Sequence, residues 1–270
     1  MRRFVMHSLS RALLLPCAFL LIFMLSICQP YAHAQRPTPA QKKEVASPPA
    51  RKKNPPPDAR GFEQFAGRDA SDKLVLGAAT RDITKPASAA YGRGLTFYKD
   101  GRYEDARESF REALKLDAGW DEAHYGLGVT FGRVGEHEAA VAEFKEVLRL
   151  TTKDDMRLWA YYSMGNSYAE LGGYEEAAEA FRQAIKVRGD LSKPHYNLGL
   201  AYRALGRRAE ALAEFKEVVR LNPKYAEGRY NLGVLALESG DRQTAEEQRA
   251  ALATLNPELA VKLNALLKQK

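Results

Sequence analysis

The sequence predicts an all-α fold, an α-solenoid of about five helical hairpins, and two observations support this prediction. Two sets of glycines recur with a period of about 34 residues, and each period contains two segments with apolar residues at helical spacing. The first set is Gly94, Gly128, Gly165, Gly199 and Gly233, and the second is Gly101, Gly135, Gly172, Gly206 and Gly240. A fixed period of this length with two helices per unit is typical of a helical repeat array.

Other residue types follow the same period. A tyrosine precedes each glycine of the first set by three residues, and an alanine follows each glycine of the second set by five. In the fourth unit the pattern predicts helices over about 193–205 and 209–221, with a stop at Asn222-Pro223, because proline disfavours the α conformation in the residue before it. The small residues Gly199 and Ala211 would let the two helices approach closely, and Phe215 would fill the space beside them.

These residues resemble the tetratricopeptide repeat family. The fourth unit carries the family pattern as Leu198-Gly199-x-x-Tyr202, Gly206, Ala211, Phe215, Val218 and Pro223. The repeats fall at 87–120, 121–154, 158–191, 192–225 and 226–259, followed by a capping helix at 257–268, so that the repeat domain spans 87–268. The resemblance implies a right-handed superhelix of helical hairpins that binds other proteins along its concave face.

Some positions depart from the family pattern. Residues 155–157 are an insertion that should lengthen the helix starting near Asp155 or change the local stacking angle. The first unit has Arg93 in place of a leucine, and the fifth has Arg242 and Arg249 in place of aromatic residues, which suits terminal repeats. The final amphipathic run, expected to form a solubilising cap, contains Leu259, Leu263, Leu266 and Leu267.

Residues 1–34 have the features of an export signal. Arginines precede an apolar run at 12–28, and Ala32-His33-Ala34 forms a small-x-small cleavage site. The alternative is an uncleaved membrane anchor through residues 12–28, although a spanning helix needs about 20 residues. Both expectations place the protein outside the cytoplasm, in the periplasm or secreted, or anchored to the inner membrane.

We predict cleavage after Ala34, because the charged start, the apolar run and the small-residue site occur in the order that signal peptidase requires. N-terminal sequencing of the exported protein should then begin at Gln35. A membrane-embedded product that retains residues 12–28 would favour the anchor instead.

Residues 35–86 are predicted to be a disordered basic tether. Seven prolines at 37–57 lie among lysines and arginines, a composition that cannot build a core. The net charge of the whole chain is +7, of which residues 35–60 carry +5 and the first eleven residues +3, so the remainder is −1. A nucleic-acid-binding protein needs a basic face on a folded element, and this charge balance predicts no nucleic-acid partner. The tether could associate weakly with anionic membrane or cell-wall polymer.

The sequence favours no catalytic, cofactor or metal site. Gly126, Gly128 and Gly132 imitate a phosphate-binding loop, but they fall inside a predicted helix, whereas that motif requires a preceding strand. His124 and His195 have no second histidine three or four residues away, which disfavours metal binding. Both cysteines, Cys17 and Cys28, lie in the signal segment, so a cleaved chain would have neither disulfides nor thiolate ligands. The chain is therefore expected not to be an enzyme.

The resemblance also implies which first-helix residues line the concave face. The predicted partner contacts are Tyr91, Leu95, Tyr125, Val129, Trp159, Tyr162, Asn166, Tyr196, Asn197, Leu200, Tyr230 and Asn231, with Tyr98, Arg133, Glu170, Lys193, Arg203, Val234 and Glu238 beside them. The lysine and asparagine clamp of chaperone adaptors is absent, because Tyr91 and Leu95 occupy those positions. An aromatic stripe edged by asparagines suits an extended peptide or a helix. The predicted function is a non-catalytic scaffold of the bacterial cell envelope, with a cell-wall polymer or carbohydrate-binding module as the alternative.

Overall fold

A computed structural model describes residues 85–269, and every regular element within that range is an α-helix. The helices are α1 Pro86–Lys99, α2 Tyr103–Leu116, α3 Asp121–Val134, α4 His137–Leu150, α5 Asp154–Glu170, α6 Tyr174–Val187, α7 Ser192–Ala204, α8 Arg208–Leu221, α9 Ala226–Glu238, α10 Arg242–Leu255 and α11 Pro257–Gln269. The predicted export signal at 1–34 and nearly all of the predicted tether at 35–86 lie outside the described residues.

The helices pack as a linear array of hairpins. Each odd-numbered helix pairs with the even-numbered helix that follows it, and each even-numbered helix also packs against the next odd-numbered one. The first helices of successive hairpins touch as well, α1 with α3, α3 with α5 and α5 with α7. Helices that pack extensively are therefore one or two places apart in chain order. This confirms the predicted all-α solenoid.

Each hairpin turns at a glycine of the second set. All five have φ between 73° and 84°, in the left-handed region of backbone conformation that residues other than glycine rarely adopt. At the first turn the Gly101 N–H donates to the Tyr98 carbonyl (3.1 Å), and the Arg102 N–H donates to the Phe97 carbonyl (2.9 Å). These two bonds form a Schellman motif, which satisfies the last carbonyls of the first helix and reverses the chain.

The other glycine set provides space for aromatic rings. A Cβ on Gly165 would lie 2.6 Å from the Phe181 ring, and one on Gly199 would lie 3.0 Å from the Phe215 ring. Phe110 and Phe144 lie in the same way over Gly94 and Gly128, and all four rings are buried. In each of the first four hairpins, a ring from the second helix fills the gap above a glycine on the first. The close approach expected at Gly199 is therefore between a backbone and a ring.

Helix α5 is longer than the other ten. It has 17 residues, whereas the others have 13 or 14. It starts at Asp154, and Met156 and Leu158 at this end are buried. The inserted residues 155–157 thus extend the helix by about one turn, as expected.

The last helix, α11, packs against both α9 and α10. The fifth hairpin has Arg249 where the earlier hairpins have phenylalanine, and Leu263 from α11 fills that space instead. Its Cδ2 lies 2.5 Å from where a Cβ on Gly233 would be, and the side chain is fully buried. The predicted capping helix therefore completes the core of the last hairpin as well as covering it.

Candidate partner-binding face

The repeated tyrosines of the first helices pack on the phenylalanines of the second helices. The ring centroids are 5.6 Å apart for Tyr125 and Phe144, and 5.7 Å apart for Tyr196 and Phe215. Tyr91 and Tyr162 make the same contact with Phe110 and Phe181. Tyr91, Tyr125 and Tyr196 are only 4%, 1% and 3% exposed. Burial raises the pKa of both Tyr91 and Tyr196, so these phenols stay neutral at physiological pH.

The tyrosine hydroxyls form hydrogen bonds to the next hairpin. The Tyr125 hydroxyl lies 3.2 Å from Ser163 Oγ, and the Tyr162 and Tyr196 hydroxyls accept bonds of 3.2 Å from the side-chain amides of Asn197 and Asn231. In each case the partner residue immediately follows the next tyrosine of the period. We call these three bonds the tyrosine ladder. Because each bond joins two first helices, the ladder fixes the spacing of neighbouring hairpins.

Two further bonds extend this network. Asn197 Nδ2 donates to Asn166 Oδ1 at 2.7 Å, and Arg203 donates to Asn231 Oδ1 at 2.8 Å. Ser163 is a ladder residue that the sequence prediction did not include. The repeat pattern indicates this role, because Ser163, Asn197 and Asn231 share one position of the repeat. The sequence prediction included only the two asparagines.

The predicted partner contacts differ in accessibility. Seven of the twelve are buried, and five remain partly exposed. The buried ones are Tyr91, Tyr125, Val129, Tyr196, Asn197, Leu200 and Asn231. The partly exposed ones are Leu95, Trp159, Tyr162, Asn166 and Tyr230. Of these five, Trp159, Tyr162 and Asn166 lie on α5, where the Trp159 and Tyr162 rings meet edge to face with centroids 5.7 Å apart. The role of all twelve in binding stays a prediction.

A buried pair of acidic side chains lies at the start of α3. Lys153 Nζ is 2.5 Å from Glu122 Oε1 and 3.7 Å from Asp121 Oδ2. Burial raises the pKa of Glu122, and its hydrogen bond with Asp121 raises it further. Burial also disfavours the Asp121 carboxylate, but hydrogen bonds from Glu122 and Thr151 and the charge of Lys153 outweigh it and lower the pKa. This cluster ties the start of α3 to the loop before α5.

The glycines that imitate a phosphate-binding loop lie inside α3, as predicted. Gly126 and Gly128 lie against the rings of Phe110 and Phe144. Within residues 85–269 the side chains include no group of three or more histidine, cysteine or acidic residues that could hold a metal ion. In the same range no helix has the length and apolar character needed to cross a bilayer.

Solved structures with a similar fold include MamA and YrrB. MamA from Desulfovibrio magneticus RS-1 is 21% identical and superposes with a TM-score of 0.59, over 64% of this chain and 96% of that one. YrrB, described as a TPR protein with an unusual peptide-binding site, is also 21% identical, with a TM-score of 0.57 over 73% of this chain and 98% of its own. At this identity the likeness concerns the fold alone. Among curated proteins no relative matches the chain.

Family models identify the repeats directly. A model described as TPR repeat matches residues 165–206 and 199–240, and one described as tetratricopeptide repeat matches residues 76–122 and 91–155. Together the matches cover more than half of the chain, and they leave a break at 156–164, where α5 carries its extra turn. The sequence period, the helical hairpins and these matches agree, and the chain belongs to the tetratricopeptide repeat family.

Proposed function

We propose that this protein is a non-catalytic scaffold that binds an extended peptide or a helix of a protein partner along the face formed by its first helices. The observation that carries the proposal is the combination of a bonded framework and accessible side chains on that face. The tyrosine ladder joins the second to the fifth hairpin, and its residue Tyr162 on α5 remains partly exposed together with Trp159 and Asn166 on the same helix. A face held in place before binding loses less conformational entropy when a ligand is ordered on it.

The chemistry of the exposed residues favours a peptide over other ligands. Trp159 and Tyr162 offer apolar rings, and the Asn166 amide can pair with the main chain of an extended ligand. YrrB, which has a similar fold, is described as having a peptide-binding site. Aromatic rings also stack on sugars, so a cell-wall polymer or carbohydrate is the second candidate ligand.

We further propose that the scaffold acts in the bacterial cell envelope. The motivation is the signal-like segment at 1–34 and the basic, proline-rich segment that follows it. The basic segment would hold the repeats close to anionic membrane or wall polymer, with an attraction that weakens as salt rises.

The test of binding uses a phage-displayed library of random peptides and, separately, purified cell-wall sacculi as probes. We expect the library to yield peptides that bind the full chain, and Tyr162→Ala to weaken them by about thirtyfold, equivalent to about 2 kcal/mol. Fluorescence anisotropy with a labelled selected peptide gives the affinity, and thermal unfolding of each variant gives its stability.

Two further variants separate binding from folding. Tyr196 is buried and stacks on Tyr225 with centroids 5.0 Å apart, so Tyr196→Ala should mainly lower the melting temperature. Leu116 at the end of α2 is 54% exposed, and Leu116→Ala should change neither quantity. Peptides that bind Tyr162→Ala as well as the original chain would place the site elsewhere. Sacculi that bind when no peptide does would favour the carbohydrate alternative.

A further inference from the structure

Two histidines occupy the same position in the second and fourth hairpins and make the same pair of contacts. His124 Nδ1 lies 2.7 Å from Glu143 Oε2, and its Nε2 lies 3.2 Å from the carbonyl of Ala118. His195 repeats both distances with Glu214 and the carbonyl of Gly189. Each ring therefore joins the start of a first helix to the preceding loop and to the second helix of its own hairpin.

The chemistry of these partners defines the charge of the ring. A carbonyl can only accept a hydrogen bond, and an ionised carboxylate can only accept one as well. Both ring nitrogens must then donate, which only the protonated imidazolium can do. Both side chains are largely buried, at 14% exposed for His124 and 11% for His195, so the lost hydration is replaced by these two bonds.

The fifth hairpin has a permanent cation at this position. Arg229 donates to the carbonyl of Pro223 at 2.7 Å and to Gln248 Oε1 at 2.7 Å. These partners stand at the same sequence separations, six residues before and nineteen residues after, as the partners of the two histidines. An arginine that makes the same two contacts is independent evidence that the histidines at this repeat position are also cations.

We propose that His124 and His195 are reversible cation bridges, which stabilise the second and fourth hairpins while the imidazoles are protonated and weaken as rising pH removes the proton. Arg229 keeps the fifth hairpin bridged throughout, because an arginine side chain carries a permanent positive charge. The array thus contains two hairpins with a titratable bridge and one with a permanent cation at the same repeat position.

The surrounding charges support this assignment. Burial disfavours the charged form of His124, but the bonds to Glu143 and to the Ala118 carbonyl outweigh it, with a further contribution from Glu146, and the pKa is raised above its ordinary value. Glu146 is itself paired with Arg149, at 2.8 Å.

The environment of His195 is equivalent. Burial again opposes the charge, while the bonds to Glu214 and to the Gly189 carbonyl outweigh it and raise the pKa, with a contribution from Glu217, which pairs with Arg220. In the loop before α7, Asp190 lies 3.8 Å from Arg188.

The direction of the pH effect follows from these raised pKa values. The stabilisation is fully present below the pKa of the unfolded histidine, about 6.5, and disappears as the pH rises through the higher pKa of the folded state. For each histidine, the unfolding equilibrium constant should increase about tenfold for every pH unit that separates the two pKa values.

The experiment measures urea unfolding of the full chain between pH 5 and pH 9, together with an NMR titration of the imidazole protons. We expect the urea midpoint to fall above about pH 6.5, and the double variant His124→Arg/His195→Arg to flatten this dependence. His137, whose buried Nδ1 has no hydrogen-bond partner, provides the control background: the double variant should flatten the pH profile to the same extent in a chain that also carries His137→Gln.

Two results would overturn the proposal. One is a double variant that folds and retains the full pH dependence. The other, which needs no variant, is a titration in which neither bridging histidine has a pKa above that of an unfolded histidine.

Discussion

Replacing Gly199 by leucine is expected to lower the free energy of unfolding by about 3 kcal/mol. A Cβ alone at this position would lie 3.0 Å from two atoms of the Phe215 ring, and the ring is fully buried, so it cannot move aside. A leucine adds three more carbon atoms in the same space. Urea unfolding followed by circular dichroism measures the change, and the effect should reach the neighbouring hairpins because repeat interfaces are shared.

Gly92 provides the matched control for this substitution. It lies inside α1, is exposed, and has no neighbouring atom within 4 Å of a Cβ. Gly92→Leu should leave the stability unchanged or raise it by up to about 1 kcal/mol, because glycine is a poor helix former. Equal losses at both positions would mean that the contact with Phe215 does not determine the effect.

Truncating Leu263 to alanine is expected to cost about 3 kcal/mol. The side chain is fully buried and fills the space above Gly233 that a phenylalanine fills in the earlier hairpins. No aromatic ring in the fifth hairpin can replace it, since Arg249 occupies the equivalent position. The free energy from urea unfolding should fall, and hydrogen exchange should show lost protection first in α9, α10 and α11.

Val261, on the same helix, is the control for this prediction. It is 68% exposed, so Val261→Ala should change the free energy of unfolding by less than about 0.5 kcal/mol. If Leu263→Ala were as mild, α11 would be an accessory helix and not part of the core of the last hairpin.

The repeat period predicted the backbone better than the site. The turn glycines and the helix end near Pro223 follow from local sequence signals, because glycine and proline act on the backbone where they stand. The extra turn of α5 follows from the inserted residues 155–157. Local sequence signals did not predict that Leu263 fills the space that a phenylalanine fills in the earlier hairpins. Arg249 showed that an aromatic residue was missing, but only the packing of α11 shows what fills its place.

The repeat period also predicts only part of the candidate partner-binding face. Tyr91, Tyr125 and Tyr196 were recognised as one register, but a period identifies a shared environment and not its degree of exposure. The ladder depends on bonds between residues about 35 positions apart, which single helices do not reveal. The contacts of His124 and His195 do not follow from the sequence for a similar reason, because their partners are a carboxylate nineteen residues away and a backbone carbonyl.

The packing of each helix on close neighbours in the chain has a kinetic consequence. Helices that pack extensively are only one or two places apart in chain order, so the described residues have a low contact order. Folding rates of small proteins rise as contact order falls, because short loops are closed at little entropic cost. An array of this topology can fold hairpin by hairpin from whichever end becomes available first, without waiting for the other end to be synthesised.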